Sequence, residues 1–271
     1  MVANSRLVAL ARRLLDWGNP RPSGVRGFLR IRAAAYLSWN RRLLLDPWLR
    51  YHPAISVLKR MDCSVSRILD AGSGGYGLAY FLRRPVVGVD VQFSRGDMRS
   101  FPSPIEPVRA SAVALPFRDR AFEAVVSMDM VEHVPASMRG TALEELFRVS
   151  GGLLVIGFPF GSASSEHDRR ALAEERRSGD APLWREEHVS NGLPGQEVHD
   201  KILELARSSS IHKEADWFGH EGLLGLRVRW RLQRLIGANS RIRGMVLAPL
   251  YFVHARGRRR RAYRRVYVIR P

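Results

Sequence analysis

The residues best placed to do chemistry are Asp70-Ala71-Gly72-Ser73-Gly74-Gly75-Tyr76-Gly77, an acid followed by a glycine cluster. They come directly after the apolar pair Ile68-Leu69 and before a helix-capable stretch at 78–84. Glycines in such a turn let the backbone bend sharply and approach a ligand closely. Read literally, Gly72-x-Gly74-x-x-Gly77 is the dinucleotide fingerprint, a weak signal when alone. Asp70 points elsewhere, because a carboxylate before the first glycine repels a pyrophosphate and attracts a cationic or hydroxylated group. Asp90 closes the run Val86-Val87-Gly88-Val89-Asp90, where an acid at a strand end accepts hydrogen bonds from a ribose. The alternative is a tight turn with two solvated carboxylates.

A second set of side chains could move a proton: His133, His167, Glu187, His188, His199 and His220. By chain order His133 is the best placed, since it follows the apolar run at 122–127; otherwise Glu132 and His133 only fix a helix start. Glu187 and His188 lie in Trp184-Arg185-Glu186-Glu187-His188, before the turn Gly192-Leu193-Pro194-Gly195. They could touch a ligand, or form a polar helix end. Cys63 is the single cysteine, so neither an internal disulfide nor a cysteine metal cluster can form.

These groups need a scaffold, and the hydrophobic pattern supplies one. Short apolar runs at 67–70, 85–90, 122–127 and 152–158 alternate with helix-capable segments, which predicts a parallel sheet covered by helices. A last strand is expected at 262–270. Leu7, Leu10, Ala11, Leu14 and Trp17 fall on one face of a helical projection, with Arg6, Arg12 and Arg13 opposite, so the first 17 residues read as an amphipathic helix. Helical character resumes at 28–45, and Pro47 opens another helix ending near Arg60. Four regions follow: a helical N-terminal extension at 1–62, a ligand-binding core at 63–160, a polar, helix-prone cap or insertion at 161–221, and a basic C-terminal region at 222–271 that holds the last strand.

Within that frame the chain resembles the class I S-adenosylmethionine-dependent methyltransferases, in particular the small-molecule group with a type 11 domain. Asp70, Gly72 and Gly74 match the family's acid and Gly-x-Gly loop after the first strand, and Asp90 matches its ribose-binding acid. The likeness continues through Ala112-Val113-Ala114-Leu115-Pro116-Phe117, Phe122-Glu123-Ala124-Val125, Val131-Glu132-His133-Val134-Pro135 and the run at 146–156. It implies a Rossmann-like α/β fold whose seven-stranded sheet is mostly parallel with an antiparallel last strand. It also implies S-adenosylmethionine as cofactor, held by Asp70, Ala71, Gly72, Gly74, Asp90, Val91, Ser111, Ala112 and Ser127. Where the family usually has an acid for the adenine amino group this chain has Ser111, a weaker acceptor, and reduced cofactor affinity is expected.

The activity implied is in-line methyl transfer to a small-molecule, glycan or lipid-linked acceptor, with His133 and His188 as candidate catalytic residues. Some methyltransferases of similar fold, in ubiquinone synthesis and on small RNAs, hold a divalent cation on an acid-x-x-Glu-His segment. Asp129-x-x-Glu132-His133 matches it, but others carry Glu-His-Val-Pro without metal, and no metal ligand is assigned. The competing enzyme reading is an NAD(P)-dependent Rossmann oxidoreductase, which requires six parallel strands. A third is a non-catalytic methyltransferase-like module that binds RNA or an anionic membrane.

Charge bears on the last of these. Residues 1–66 carry 12 basic and 3 acidic side chains and residues 222–271 carry 14 and none, whereas 67–160 balance at 10 and 10. Any anionic partner would therefore meet the flanks. Trp230, Tyr251, Phe252, Tyr263 and Tyr267 among the C-terminal arginines could stack bases. The first helix could instead insert into an anionic bilayer, and peripheral membrane contact is preferred to nucleic acid. Arginine outnumbers lysine 41 to 3, so compositional bias is the plain alternative. The longest uncharged stretch, 17 residues at 149–165, is broken by Gly, Pro and Ser and falls short of a membrane span. With no secretory signal recognisable at the N-terminus, a cytoplasmic protein is expected, peripheral at the membrane if the flanks bind it.

Overall fold

The computed structural model describes residues 45–61, 65–75, 77–93, 103–179, 181–212, 214–223, 226 and 262–271. They belong almost wholly to one compact unit, residues 48–227 and 254–271; a second unit, 1–47 and 228–253, lies outside them except for residues 45–47. The expected amphipathic helix at 1–17, the helix at 28–45 except its last residue and the whole arginine-rich stretch from 227 to 261 therefore lie outside the described residues.

In chain order the elements are α1 (Leu45–Leu58), β1 (Ile68–Ala71), α2 (Gly77–Leu82), β2 (Val86–Asp90), β3 (Ile105–Arg109) and β4 (Phe122–Met128). Two short 3-10 turns, Val131–His133 and Ala136–Met138, lead to α3 (Arg139–Val149), β5 (Ser150–Pro159), α4 (Gly161–Ser178), α5 (Leu183–Asn191), α6 (Gln196–Ser208), β6 (Glu214–Gly222) and β7 (Ala262–Arg270). The seven strands form one sheet in the order β3-β2-β1-β4-β5-β7-β6. Strands β1 to β5 pair parallel, and β7 inserts antiparallel to both β5 and β6. This is the mostly parallel sheet with an antiparallel last strand that the resemblance implies. An oxidoreductase sheet of six parallel strands is excluded by β7 between β5 and β6.

Side chains alternate across the sheet, as the two-residue period of a strand dictates. Leu154, Ile156 and Phe158 of β5 join Tyr267 and Ile269 of β7 in a core with Leu143, Leu146, Val198 and Ile202 from α3 and α6. Leu153 and Val155 join Val266 and Val268 on the other face, with Tyr51, Ala54, Ile55 and Leu58 of α1 and Leu78 of α2. Helices on both faces explain why β4 and β5 read as unbroken apolar runs.

Two strands escape the sequence reading. The edge strand β3 is half exposed and holds Pro107, which is tolerated at an edge and removes the usual strand signal. The other edge strand, β6, is the polar Glu-Ala-Asp-Trp-Phe-Gly-His-Glu-Gly, which sequence reasoning places in the cap. Likewise α6, assigned to the cap, buries Val198, Ile202 and Ala206 against the sheet and belongs to its covering layer.

Candidate active site

The sheet order reverses at β1, which lies between β2 and β4, and the crevice beyond the carboxyl ends of strands at such a point is where open α/β sheets bind ligands. The glycine turn opens here. Gly72 N–H donates to the Val89 carbonyl at 2.8 Å and Ser73 N–H to the same oxygen at 3.2 Å, pinning the turn to β2. Gly72 has φ +80°, and a Cβ there would lie 2.6 Å from both Cβ and Cγ of Met130. The chain leaving β1 thus abuts the chain leaving β4, and only glycine fits. Gly74, at φ +59°, donates its N–H to Asp90 Oδ2 at 2.9 Å. A Cβ on Gly74 would meet nothing within 4 Å, so the turn faces open space.

Asp90 also accepts the Gln92 N–H on Oδ1 at 3.1 Å. A carboxylate offers about four lone-pair sites, so acceptor capacity remains after these two bonds. Asp70 behaves differently. Fully buried, it accepts from Leu78 N–H at 2.6 Å and from the Tyr51 hydroxyl at 3.0 and 3.3 Å. Burial pushes its carboxyl up to about 7, against the opposing pull of the Leu78 and Tyr51 hydrogen bonds. It stands behind the turn and ties it to α2 and α1.

Among the other expected cofactor contacts, Ala71 is core, Val91 is 62% exposed just past Asp90, and Ala112 packs half-buried on the core. The exposed Ser111 bridges to Ala114, and its hydroxyl accepts the Val113 N–H at 3.4 Å. Ser127 sits one residue inside the end of β4, buried, with a hydroxyl that has no hydrogen-bond partner among the described residues. The turn, Asp90, Val91 and the 110–112 segment share one edge, joined by the Ala110 N–H to Asp90 carbonyl bond of 3.1 Å.

On the β4 side the chain turns at Asp129, a non-glycine residue at φ +55°. Arg264 of β7 grips its carboxylate with two bonds, Nε to Oδ1 at 2.7 Å and Nη2 to Oδ2 at 2.6 Å, and Arg50 of α1 lies 3.1 Å away. Burial opposes ionisation, but the two arginines prevail and hold this carboxyl at about 2. Glu132 is fully buried, and neither carboxyl oxygen has a hydrogen-bond partner among the described residues. Its carboxyl rises well above the usual range through burial and then the charge of Asp129.

His188 of α5 meets this group from the other side. Its Nδ1 lies 2.9 Å from Asp168 Oδ2 in α4, and its Nε2 lies 3.8 Å from Glu132 Oε1 without a hydrogen-bond partner among the described residues. A carboxylate only accepts, so Nδ1 donates its N–H to Asp168. Asp168 is itself fixed by the Tyr263 hydroxyl at 2.8 and 3.0 Å and by Arg185 at 3.4 Å. His133 places Nδ1 2.6 Å from Glu187 Oε2, and its ring centre is 4.9 Å from that of His188. Its imidazole is shifted down, chiefly by burial and by the charge of His188. Arg139 straps the assembly, donating to the carbonyls of Val134, Glu132, Asn191 and Gly192.

The structure therefore brings His133, Glu187 and His188 together and separates the other candidate bases. His220 donates its Nε2–H to the Leu49 carbonyl, 2.8 Å away, and burial lowers it to about 3. His199 pairs with the Tyr267 hydroxyl at 2.9 Å, and His167 packs edge-on to Tyr263. Tyr263 and Tyr267, read from sequence as base-stacking residues, are buried on Asp168 and His199 and cannot stack on a nucleic acid. Sequence reasoning missed Tyr51, Asp168, Tyr263 and Arg264 as site residues. Their partners lie 19 to 135 positions away, so no local spacing announces them.

Residues 69–156 match the family model described as a methyltransferase domain. A protein of Mycobacterium leprae strain Br4923, named as an uncharacterized methyltransferase, is 34% identical over 129 residues, covering 43% of this chain and 45% of its own length. A namesake from Mycobacterium sp. strain KMS is 35% identical over 105 residues, or 35% and 41% of the two chains. The matched stretch thus spans less than half the length of these curated relatives. Among solved structures, an S-adenosylmethionine-dependent methyltransferase from Archaeoglobus fulgidus aligns with 81% of this chain and 92% of its own, at 14% identity and a TM-score of 0.48. That likeness is distant, and the fold assignment rests on the sheet order itself.

Proposed function

We propose that this chain, whose residues 69–156 match the methyltransferase-domain model, transfers the methyl group of S-adenosylmethionine to a small-molecule, glycan or lipid-linked acceptor. The supporting observation is the cradle at the reversal of strand order. Gly72 and Gly74 run in left-handed backbone with no room for, or no neighbour to, a side chain, and Asp90 closes the turn with acceptor capacity to spare. These residues fit the cofactor: an open backbone edge suits its methionine part, and a strand-end carboxylate suits two ribose hydroxyls. Val91, Ser111 and Ala112 stand beside the adenine, and Ser127 backs the crevice from β4. Asp70 acts from behind by holding the turn. The cofactor supplies a methyl group on a sulfonium, activated for displacement.

The remaining work is alignment, exclusion of water and handling of one proton. Positioning alone supplies up to ~7 to 11 kcal/mol in well-oriented reactions. An acceptor hydroxyl or ammonium must lose its proton, and the Glu132, His133 and His188 group beside the chain leaving β4 is where this chain can take it. Leu183 and Trp184, 71% and 40% exposed at the start of α5, offer apolar surface next to that group for the body of the acceptor. Among the described residues no helix is long and apolar enough to cross a membrane.

Calorimetric titration with S-adenosylmethionine, and separately with NADH, tests the reading. Saturable binding of the sulfonium alone, weakened at least tenfold in Asp90→Ala, is expected. Binding of NADH, or of neither compound, refutes it, and the second result would turn attention to the basic flanks as a binding surface.

A further inference from the structure

The group beside β4 holds more than a base requires. One ligand atom from each of Glu132, His133 and His188 lies within 4.8 Å of the other two. Ligands bound at 2.0 to 2.2 Å to a common ion stand roughly 3 to 4 Å apart, so modest side-chain movement would bring all three onto one centre. Two of the three ligand residues are buried with their donors idle. Both oxygens of Glu132 and the Nε2 of His188 have no hydrogen-bond partner among the described residues. Leaving such groups bare in a core costs free energy on the order of 1 to 3 kcal/mol each, which a bound ligand would offset.

The surroundings also suit a cation. A ligating imidazole usually gives its second nitrogen to a carboxylate that fixes its orientation. Here each histidine has one: Asp168 at 2.9 Å for His188 and Glu187 at 2.6 Å for His133. Asp168 is in turn held by the Tyr263 hydroxyl. Of the guanidinium groups around it, Arg264 is paired with Asp129 and Glu221, Arg185 with Asp168 and Glu175, and Arg139 donates to the backbone carbonyls of Glu132, Val134, Asn191 and Gly192. Asp129, three residues before Glu132, is excluded as a ligand by its two arginines.

From this geometry we propose that Glu132, His133 and His188 form a binding site for a divalent transition cation, with coordination positions left open toward the acceptor. Two imidazoles and one carboxylate favour zinc, cobalt, iron or manganese over magnesium and calcium, which prefer all-oxygen shells. The inference deepens the methyltransferase reading by naming the acceptor chemistry. A cation here would bind an acceptor oxygen and ease loss of its proton. An imidazole cannot be ligand and base at once, so with metal bound the two histidines serve as ligands, and the proton of the cation-bound acceptor oxygen leaves to solvent water.

The test reads metal binding without methyl transfer, so it can fail separately from the proposed activity. Full-length protein stripped with a chelator is titrated with Zn2+, Co2+, Mn2+ and Mg2+ by calorimetry, and the Co2+ complex is followed by its visible absorption. One transition cation per chain is expected, bound more tightly than Mg2+, with a Co2+ band that marks nitrogen ligation. His188→Gln and His133→Gln should each weaken binding at least 100-fold. Asp168→Asn, acting through His188, should weaken it ~10- to 100-fold, and His52→Gln, outside the site, should not change it. Should the buried His188→Gln fail to fold, the half-buried His133→Gln carries the test. No saturable binding of any cation, or equal binding in His133→Gln and His52→Gln, overturns the proposal.

Discussion

Asp70→Asn tests how the glycine turn is held. The native carboxyl is fully buried and titrates at about 7, against 3.8 for an exposed aspartate. Its folded value is raised, so the native state keeps a proton that the unfolded chain has released between pH 4 and 7. Stability contributed by this group is therefore present below pH 4 and is lost as pH rises toward 7. About three units at 1.36 kcal/mol each makes the loss on the order of 4 kcal/mol. Asparagine has the same shape, never ionises, and its carbonyl can accept from both Leu78 and Tyr51. Chemical denaturation of both proteins every half unit from pH 4 to 8 should show the difference in unfolding free energy moving in favour of the variant by several kcal/mol as pH rises to 7, then levelling. Parallel curves would refute the assignment of Asp70 as a buried, neutral-prone acid behind the turn. A difference moving the opposite way would mean that the carboxylate is stabilised by charge.

Four further outcomes are expected. Gly72→Ala forces a side chain into left-handed backbone at φ +80° and onto Met130, so it should destabilise by at least ~1 to 2 kcal/mol and weaken S-adenosylmethionine binding, both measurable by thermal shift with and without cofactor. Asp129→Asn leaves Arg264 and Arg50 without their shared buried partner and should cost ~3 to 5 kcal/mol in denaturant unfolding. The pair of Asp119, 73% exposed, with Arg148 sets the comparison, and Asp119→Asn should change stability by no more than ~1 kcal/mol. Glu187→Gln removes the carboxylate that raises the His133 imidazole, so its midpoint in an NMR titration should fall further below the ordinary histidine value; an unchanged midpoint would mean that the 2.6 Å contact does not persist in solution.

Much of the scaffold is legible along the chain because strands β1, β2, β4 and β5 are covered on both faces and must be apolar throughout. The cofactor cradle is equally local: left-handed turns demand glycine, and the acids at 70 and 90 lie at strand ends that the hydrophobic pattern marks. The edge strands β3 and β6 are different. One face of each remains wet, so Pro107 and the polar 214–222 segment give no strand signal, and pairing alone defines them.

Sequence thus determines which segments form the central sheet and which turn could cradle a ligand, because burial and backbone conformation act over a few neighbouring residues. Only the tertiary structure decides what Asp70 faces, which histidines meet and which carboxylates the arginines hold. Asp70 is turned inward by Tyr51, 19 residues earlier, and Asp129 is neutralised by Arg264, 135 residues later. His188 joins Glu132 because α4 and α5 fold back over the end of β4 and bring Asp168 with them. Electrostatic partnership depends on distance in space, and the chain's order carries no record of that distance.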